Sequence, residues 1–379
     1  MSNSKVNIEL LRAYSEINLS NLEHNLGQLQ EQLPAMCKVI AVVKADAYGH
    51  GAVQVSRHLQ RLGIEHFAVA SIDEAIELRI NQIEGEILVL GYTPIGRRED
   101  LIYYHITQAL IDESYAEKIS KGKGRLRVHI KLDTGMNRLG LRATNLDALM
   151  AIYRKENLEI TGTFSHLSRA DSLCDEDKSF TEYQIKTFYE IIGSLKKNHI
   201  EVGKTHLQSS YGIINYPQIK CDLARPGILL YGVSSNPEEN IAERLDVRPV
   251  LSLRAKVGSI KHVDKGETVG YGNHFKVEKE SVIAIVTIGY ADGYPRYLSK
   301  RGCKVLIRGR EVPIIGNVCM DQMIVDVTSL NDIKVGSQVT LIGKDEEAYL
   351  SVNQISLLTN TINNETLTGI GQRVKKVYI

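Results

Sequence analysis

The sequence carries little net charge: 46 Lys and Arg against 45 Asp and Glu leave a formal +1 over 379 residues. Such balance argues against nucleic acid or an anionic membrane as the main partner. Cysteine is sparse. The five cysteines (Cys37, Cys174, Cys221, Cys303, Cys319) show no CxxC and no metal-ligand spacing. They read as reduced thiols of a cytoplasmic compartment, not as a disulfide framework or a metal site. No apolar run approaches the ~18 residues of a transmembrane helix, and no signal-peptide pattern opens the chain. The polar Met1–Val6 could in part be an appended segment. Internal repeats and low-complexity tracts are absent. The expectation is a soluble globular chain long enough for two domains, at about 100–200 residues each.

What is there is organised around Cys37–Gly51, CKVIAVVKADAYGHG. Five apolar residues, Val39 to Val43, read as a strand buried on both faces. Lys44 at its end would have its stem in apolar surroundings at the mouth of a core. Desolvation there disfavours the ammonium and makes a neutral amine accessible near neutral pH, as bonding to an aldehyde requires. An isolated Lys would more often snorkel out of such a strand end. Its company decides.

From Cys37 to about Gly232, apolar runs alternate with helix-period segments. Strands are predicted at Val39–Lys44, Phe67–Ala70, Glu86–Leu90, Gln108–Ile111, Arg127–Leu132, Ile160–Ser165, Lys204–Gln208 and Cys221–Arg225. The clearest helix is Asp177–Lys197, with Phe180, Tyr183, Phe188, Ile191, Ile192 and Leu195 on one face. Eight strands, each followed by helix or a helical turn, give an α/β fold, a parallel (β/α)8 TIM-type barrel. After Pro237, Val- and Ile-rich runs alternate with Gly-containing turns: Leu251–Val257, Ser281–Ile288, Lys304–Ile307, Met323–Val327 and Gln338–Ile342. Turn signals about every 8–12 residues predict a mainly-β domain. The polar stretch Asn236–Arg248 reads as a linker, giving a barrel domain 1–240 and a β domain 241–379. Ala13–Leu19 (AYSEINL) alternates like a strand and could pair in the second domain.

Reactive groups of a (β/α)8 barrel stand at the C-terminal strand ends, often with a phosphate site after the seventh and eighth strands. The strand ends here carry Lys44, Lys131 leading to Arg138, Ser165-His166, Gln208-Ser209-Ser210-Tyr211-Gly212, and Arg225-Pro226-Gly227-Ile228. Ser hydroxyls and the N–H groups of Gly227 and Ile228 suit a phosphate. An amine, an aromatic partner and a phosphate cradle around one mouth suggest pyridoxal 5′-phosphate. Each element has a bland alternative: a structural His166, a turn at Ser209-Ser210, an Arg225 paired with Asp222 at the surface. All of them on one barrel favour the joint reading. In the second half, Gly flanks Tyr271 and Tyr290, so the backbone can approach a ligand or partner closely, although GYG and GYADGYP are by default turn sequences.

The blocks AVVKADAYGHG, KLDTGMNRLGL, FSHLSRAD, RPGILLYG, GYGNHF, IGYADGYPR and GNVCMDQ, in this order, resemble those of the fold-type III pyridoxal-phosphate alanine racemases over about Ala13 to Tyr378. The resemblance implies that Lys44 bonds to the cofactor and acts as acid and base on one face of the substrate Cα. Tyr271 would do so on the opposite face, from a partner subunit in a head-to-tail homodimer with shared active sites. Tyr48, Ser209, Ser210, Gly227 and Ile228 would hold the phosphate, with Ser209 where the family commonly has Asn. His166 would pack against the ring and hydrogen-bond toward Tyr271, while Arg225 would face the ring nitrogen. Arg138 and the Met320 backbone would hold the substrate carboxylate, beside Lys131, a position often carbamylated. Tyr290 would narrow the entrance. No metal is implied.

One departure is informative. Ile362-Asn363-Asn364-Glu365 aligns with a family segment that normally has Tyr in place of Asn364. The same change marks the serine racemases of vancomycin-resistance systems, which this chain most resembles. It opens room and offers a donor and an acceptor to a substrate hydroxyl. The expectation is turnover of both serine and alanine, supplying D-amino acids for cell-wall precursors. The alternative is an alanine racemase with incidental Asn364. A membrane-embedded domain precedes the racemase part in those systems, so the chain could be the cytoplasmic domain of a membrane-anchored protein. Two further rivals are a fold-type III decarboxylase, which would place a carboxylate where Arg225 stands, and a cofactor store, which would need no Tyr271.

Overall fold

Two compact units make up the chain: one of Glu23–Ala47 and Gly51–Leu230, the other of the segment ending at Leu22, Tyr48–His50 and Tyr231–Ile379. The structure, a computed structural model, describes residues 7–143, 145–239, 244–299 and 301–379. The expected boundary at 240/241 and the opening Met1–Val6 lie outside these residues. Strand β1 (Ala13–Ile17) belongs to the second unit.

The first unit is a closed barrel of eight parallel strands in chain order. They are β2 (Lys38–Val42), β3 (His66–Val69), β4 (Glu86–Val89), β5 (Thr107–Leu110), β6 (Leu126–Lys131), β7 (Leu158–Phe164), β8 (Lys204–Ser209) and β9 (Leu223–Arg225). β9 returns to β2 through Lys38 beside Leu223 and Val39 beside Ala224. Val39 to Val43 are all buried, because helices cover one face of a parallel strand and barrel side chains fill the other. The strand stops at Val42, not at Lys44.

The helix following β7 runs Asp175–Lys197. Its buried seam is Thr181, Gln184, Phe188, Ile191, Ile192 and Leu195, whereas Tyr183 is exposed. Stepping back from Phe188 by helical turns reaches Gln184 and Thr181, so hydrophobicity alone misplaced the seam by one residue. Gln184 is buried because its amide ties down the loop after β7: its Oε1 accepts from Ser168 N at 2.9 Å, and its Nε2 donates to the His166 carbonyl at 3.2 Å.

The second unit is built on a nine-stranded sheet that includes β1. The strands after β9 are β10 (Leu251–Val263), β11 (Thr268–Val269), β12 (Phe275–Lys276), β13 (Ser281–Val286), β14 (Lys304–Ile307), β15 (Arg310–Ile315), β16 (Met323–Asp326), β17 (Gln338–Asp345), β18 (Ala348–Leu350) and β19 (Lys375–Tyr378). β1 lies between antiparallel β10 and parallel β19. The order β18-β17-β14-β15-β16-β13-β10-β1-β19 is closed on itself by a further β17–β10 pairing. β15 is absent from the sequence expectation because Pro313 interrupts its run, and Pro lacks the N–H a ladder uses. The β14–β15 hairpin turns at Arg308-Gly309, both with positive φ (51° and 67°), the two-residue geometry that suits strand twist.

This unit takes up the chain at Tyr231, earlier than the expected boundary. The Tyr231 carbonyl accepts from Val250 N at 3.2 Å. Gly232 (φ +78°) meets the Arg248 carbonyl so closely that a Cβ would sit 1.8 Å from its oxygen. Two short helices, Val352–Thr359 and Asn363–Thr368, complete the unit. Among the described residues no helix is long and apolar enough to cross a membrane.

Candidate active site

Beyond β2 the chain makes a left-handed turn: Ala45, Asp46, Ala47 and Tyr48 have φ between 52° and 54°. For L-residues this region costs roughly 1–2 kcal/mol each, so external bonds must hold it. Ala45 N donates to Glu74 Oε1 at 2.7 Å, and Ala52 N donates to Asp46 Oδ1 at 2.7 Å. Gly51 N donates to the Asp46 carbonyl at 2.8 Å. Lys44 stands where extended backbone passes into this clamped turn. Burial lowers its ammonium pKa, Arg138 lowers it further, and Glu74 opposes both.

Lys131, the last residue of β6, is buried, with Nζ 5.9 Å from the Phe164 ring centre. Burial, then Arg138 and Arg225, bring its ammonium down to about 8, with Lys44 adding and Asp133 opposing. Arg225 ends β9 and is 4% exposed. Its Nη2 donates to the carbonyls of Ser165 (2.7 Å) and Leu207 (3.1 Å) and faces His166 Nδ1 at 3.3 Å. Its Nη1 donates to His206 Nδ1 at 2.6 Å. The surface pairing with Asp222 is not formed: Asp222 instead accepts from Thr205 N and Oγ1, both at 2.7 Å. Arg138 lies exposed on a loop tied by Asp133, whose Oδ1 accepts from Gly135 N and Asn137 N at 3.1 and 3.0 Å. Enclosure pushes the His166 imidazolium well below its usual value, and Arg225, Lys131, Arg138 and Lys44 reinforce this.

At the barrel mouth, Arg138 thus lowers the proton affinity of Lys44, and Arg138, Arg225 and Lys44 lower that of Lys131. A group bearing phosphate and carboxylate charge would relieve that repulsion, so the residues fit such a ligand. On the expected phosphate side, Ser209 precedes the short helix Ser210–Asn215 without capping it through its side chain. Ser210 Oγ accepts from Gly227 N at 2.9 Å and Leu229 N at 3.3 Å, and its hydroxyl proton can still be donated. Ile228 opens a 3-10 turn, Ile228–Tyr231. Among the described residues no group of His, Cys, Asp and Glu is arranged to hold a metal ion.

Sequence reasoning missed several residues here. Gln184 holds the His166 loop, and Phe164 stacks on His206 with ring centres 4.6 Å apart. His129, His206 and Glu86 form a buried polar line through the barrel. Their signal was in the sequence: histidines and a glutamate inside otherwise apolar strands, where an unpaired polar group would be costly.

In the second unit, three loops meet. Tyr271 is 74% exposed in a turn between Gly270 and Gly272, and its carbonyl accepts from Asn317 Nδ2 at 2.8 Å. Tyr290, 40% exposed, donates its N–H to the Cys319 carbonyl at 3.0 Å, and Ala291 N donates to the Met320 carbonyl at 2.9 Å. Gly289 allows this approach, since a Cβ there would sit 2.3 Å from the Cys319 oxygen. Tyr271, Tyr290 and Met320 (53% exposed) are therefore presented by bonded loops rather than packed into a core. Tyr48 is buried with its ring on Tyr231 at 5.1 Å, and burial pushes its hydroxyl up to about 12. Gly49 (φ +83°) fits against the Leu367 carbonyl, 2.4 Å from where a Cβ would be. That contact sets the Tyr48–His50 segment on the helix carrying Asn364. Asn364 Oδ1 is a buried acceptor with no hydrogen-bond partner.

The sequence matches the alanine racemase N-terminal domain over residues 17–235 and the alanine racemase C-terminal domain over residues 250–378. It is 40% identical to an amino-acid racemase of Enterococcus faecalis over 363 residues, 96% of this chain and 51% of that protein. A serine/alanine racemase of Enterococcus gallinarum is also 40% identical over 363 residues, with the same coverage of 96% and 51%. An alanine racemase of Clostridium kluyveri is 39% identical over 372 residues, 97% of this chain and 94% of that one. The chain therefore spans about half the length of the Enterococcus relatives and nearly all of the Clostridium relative. Among solved structures, an alanine racemase of Clostridium difficile 630 matches with a TM-score of 0.90 at 35% identity, covering 97% of this chain and 96% of that one.

Proposed function

The chain belongs to the alanine racemase family, and from that premise we propose that it interconverts the L and D forms of alanine and serine. The observation that carries the reading is the cation set Lys44, Lys131, Arg138 and Arg225, with the amines of Lys44 and Lys131 lowered. Pyridoxal 5′-phosphate, when bound, draws electrons from the substrate Cα and makes its proton acidic.

The chain's own residues supply the rest. Lys44 Nζ exchanges a proton with one face of Cα, and Tyr271 Oη with the other, because inversion requires a base on each side. A Tyr needs positive charge or hydrogen bonds nearby to act as a base, its ordinary pKa being about 10. The exposure of Tyr271 and Tyr290 suits service to a second copy of the chain, in a head-to-tail homodimer. Arg225 would face the ring nitrogen and cannot readily give up a proton, which would favour return of the proton to Cα over side reactions. His166 would pack on the ring, and Tyr48, Ser209, Ser210, Gly227 and Ile228 would take the phosphate, the Gly227 N–H turning to it from Ser210 Oγ. Arg138 and the Met320 backbone take the substrate carboxylate, with Lys131 beside them, its lowered amine open to carbamylation.

Serine activity is supported by Asn364, whose buried Oδ1 awaits a donor. A pocket built to bond a hydroxyl discriminates far better than an apolar one. D-alanine and D-serine would then serve cell-wall precursors. The test is racemisation of L-serine and L-alanine side by side, in wild type and Asn364→Tyr. We expect serine turnover to fall roughly 10- to 100-fold in the variant while alanine changes only a few-fold. Poor serine turnover by both proteins would leave an alanine racemase.

A further inference from the structure

Arg225 carries its charge deep in the barrel, and among the described residues its hydrogen-bond partners are carbonyls and imidazoles rather than a carboxylate. Its Nη1 can only donate, so His206 Nδ1 must accept, at 2.6 Å. Burial, with Arg225 alongside, pushes the His206 imidazolium well below its usual value, so this ring carries one proton, on Nε2. That nitrogen lies 2.8 Å from His129 Nδ1, which must therefore accept. The His129 proton is left on Nε2, a buried atom that makes no hydrogen bond and faces Glu86 Oε1 across 3.3 Å. Burial raises the Glu86 carboxyl pKa, but the nearby His129 and the bonds from His66 and Thr107 outweigh it and hold the group well below the usual carboxylate range.

Glu86 is fed from the other side as well. His66 Nδ1 lies 3.1 Å from Oε2, and Lys204 Nζ lies 3.3 Å from His66 Nε2. Thr107 Oγ1 and Thr161 Oγ1 donate to Oε1 at 3.0 and 3.3 Å, and Arg127 Nη2 stands 3.9 Å away. The barrel is shaped for this line. His129 faces Gly162 across a register shift between β6 and β7, and a Cβ at Gly162 would sit 2.7 Å from the His129 ring. Only glycine leaves room for that imidazole.

We propose that Glu86 is a positioning residue for Arg225: as the buried acceptor at the end of the His129–His206 line, it fixes both tautomers and keeps the guanidinium aimed at the cofactor's ring nitrogen. This rests on the reading of Arg225 given above. The Arg225–His206 and His206–His129 bonds each run in one direction only, because Arg at one end donates, and at the other end the carboxylate faces the protonated His129 Nε2 across 3.3 Å. An amide at position 86 can present either an acceptor or a donor, so Glu86→Gln lets both rings turn over their protons and leaves Arg225 Nη1 without an assured acceptor.

The first measurement is nitrogen-15 NMR of the histidines in the wild-type protein without cofactor. His129 and His206 should both be Nε2–H; a proton on Nδ1 of either overturns the proposal. Glu86→Gln should give mixed tautomers there. In the holoenzyme it should lower kcat about ten-fold with a smaller change in KM, and should shift the pH titration of the bound cofactor's absorbance. If it lowers the melting temperature alone, with tautomers and titration unmoved, Glu86 is structural and the proposal fails. Arg225→Lys separates the two readings. A shifted cofactor titration in Arg225→Lys but not in Glu86→Gln overturns the Glu86 proposal only, and an unshifted one in Arg225→Lys overturns both.

Discussion

In the barrel, Arg225 is 4% exposed and its guanidinium meets two carbonyls and two imidazoles; in the β unit, Tyr271 is 74% exposed on a turn fixed through its backbone. The first arrangement sets the chemistry of side chains by burial and fixed partners. The second sets only where a side chain is offered, and leaves its environment to whatever surface meets it. Cofactor chemistry demands the former, since electrostatic effects grow where water is excluded. On the proposed reading of Tyr271, a proton donor that must be reset between turnovers is lent by an exposed loop.

The widest break between the halves should come from paired substitutions. Lys44→Ala removes the amine that would hold the cofactor, so the absorbance of lysine-bound cofactor and racemisation should both disappear, activity falling about a thousand-fold or more. Tyr271→Phe should leave that absorbance intact while activity falls roughly 10²- to 10⁴-fold. Its loss should be unequal in the two directions when proton exchange is followed from each enantiomer. An unchanged rate for Tyr271→Phe would end the two-base account, and an unchanged spectrum for Lys44→Ala would remove Lys44 from its role.

A subtler effect belongs to the barrel alone. Lys131 is buried and its ammonium lies near 8 instead of 10.5, through burial first and then Arg138 and Arg225. Between about 8 and 10.5 the unfolded chain holds this proton and the folded one does not. Stability of the cofactor-free protein should therefore rise with pH across that window and be lost again as pH falls through it. Lys131→Met should flatten the slope, read as urea midpoints at the two ends of the window in bicarbonate-free buffer. An identical slope in the variant would place the titration elsewhere.

How much of this was legible in the sequence follows the same division. The barrel strands could be read because apolar runs such as Val39–Val43 are buried on both faces; the rule that strand ends carry a barrel's chemistry drew attention to Lys44, His166 and Arg225, whose roles stand as proposals. His129, His206 and Glu86 stand out as polar residues inside apolar strands, but the line that joins them to Arg225 was not legible. It joins residues 225, 206, 129 and 86 through barrel closure and a β6–β7 register shift, neither of which leaves a local pattern. Hydrophobicity places Tyr183 on the helix's apolar face, because it cannot foresee that Gln184 goes inside to bond the His166 loop. β15 was hidden by Pro313. The left-handed turn after Lys44 was invisible too, since nothing in Ala-Asp-Ala announces positive φ.

That turn yields the smallest prediction, and it sharpens what the barrel half requires. Ala45 is exposed and has φ 52°, held by its N–H bond to Glu74. In an ordinary helix, Ala→Gly costs about 1 kcal/mol because glycine is freer when unfolded. Here the left-handed conformation already costs the alanine roughly 1–2 kcal/mol, which glycine avoids. Ala45→Gly should therefore be neutral or stabilising by up to about 1 kcal/mol, seen as an unchanged or slightly higher urea midpoint. Because Lys44 sits at the start of the turn, the same variant reports what the strain is for. An unchanged midpoint with a lower kcat would mean that rigidity of the turn holds Lys44 in place. Unchanged kcat with higher stability would mean that the Glu74 and Asp46 bonds hold it without help, and destabilisation by a full 1 kcal/mol would mean that the turn is not strained at all.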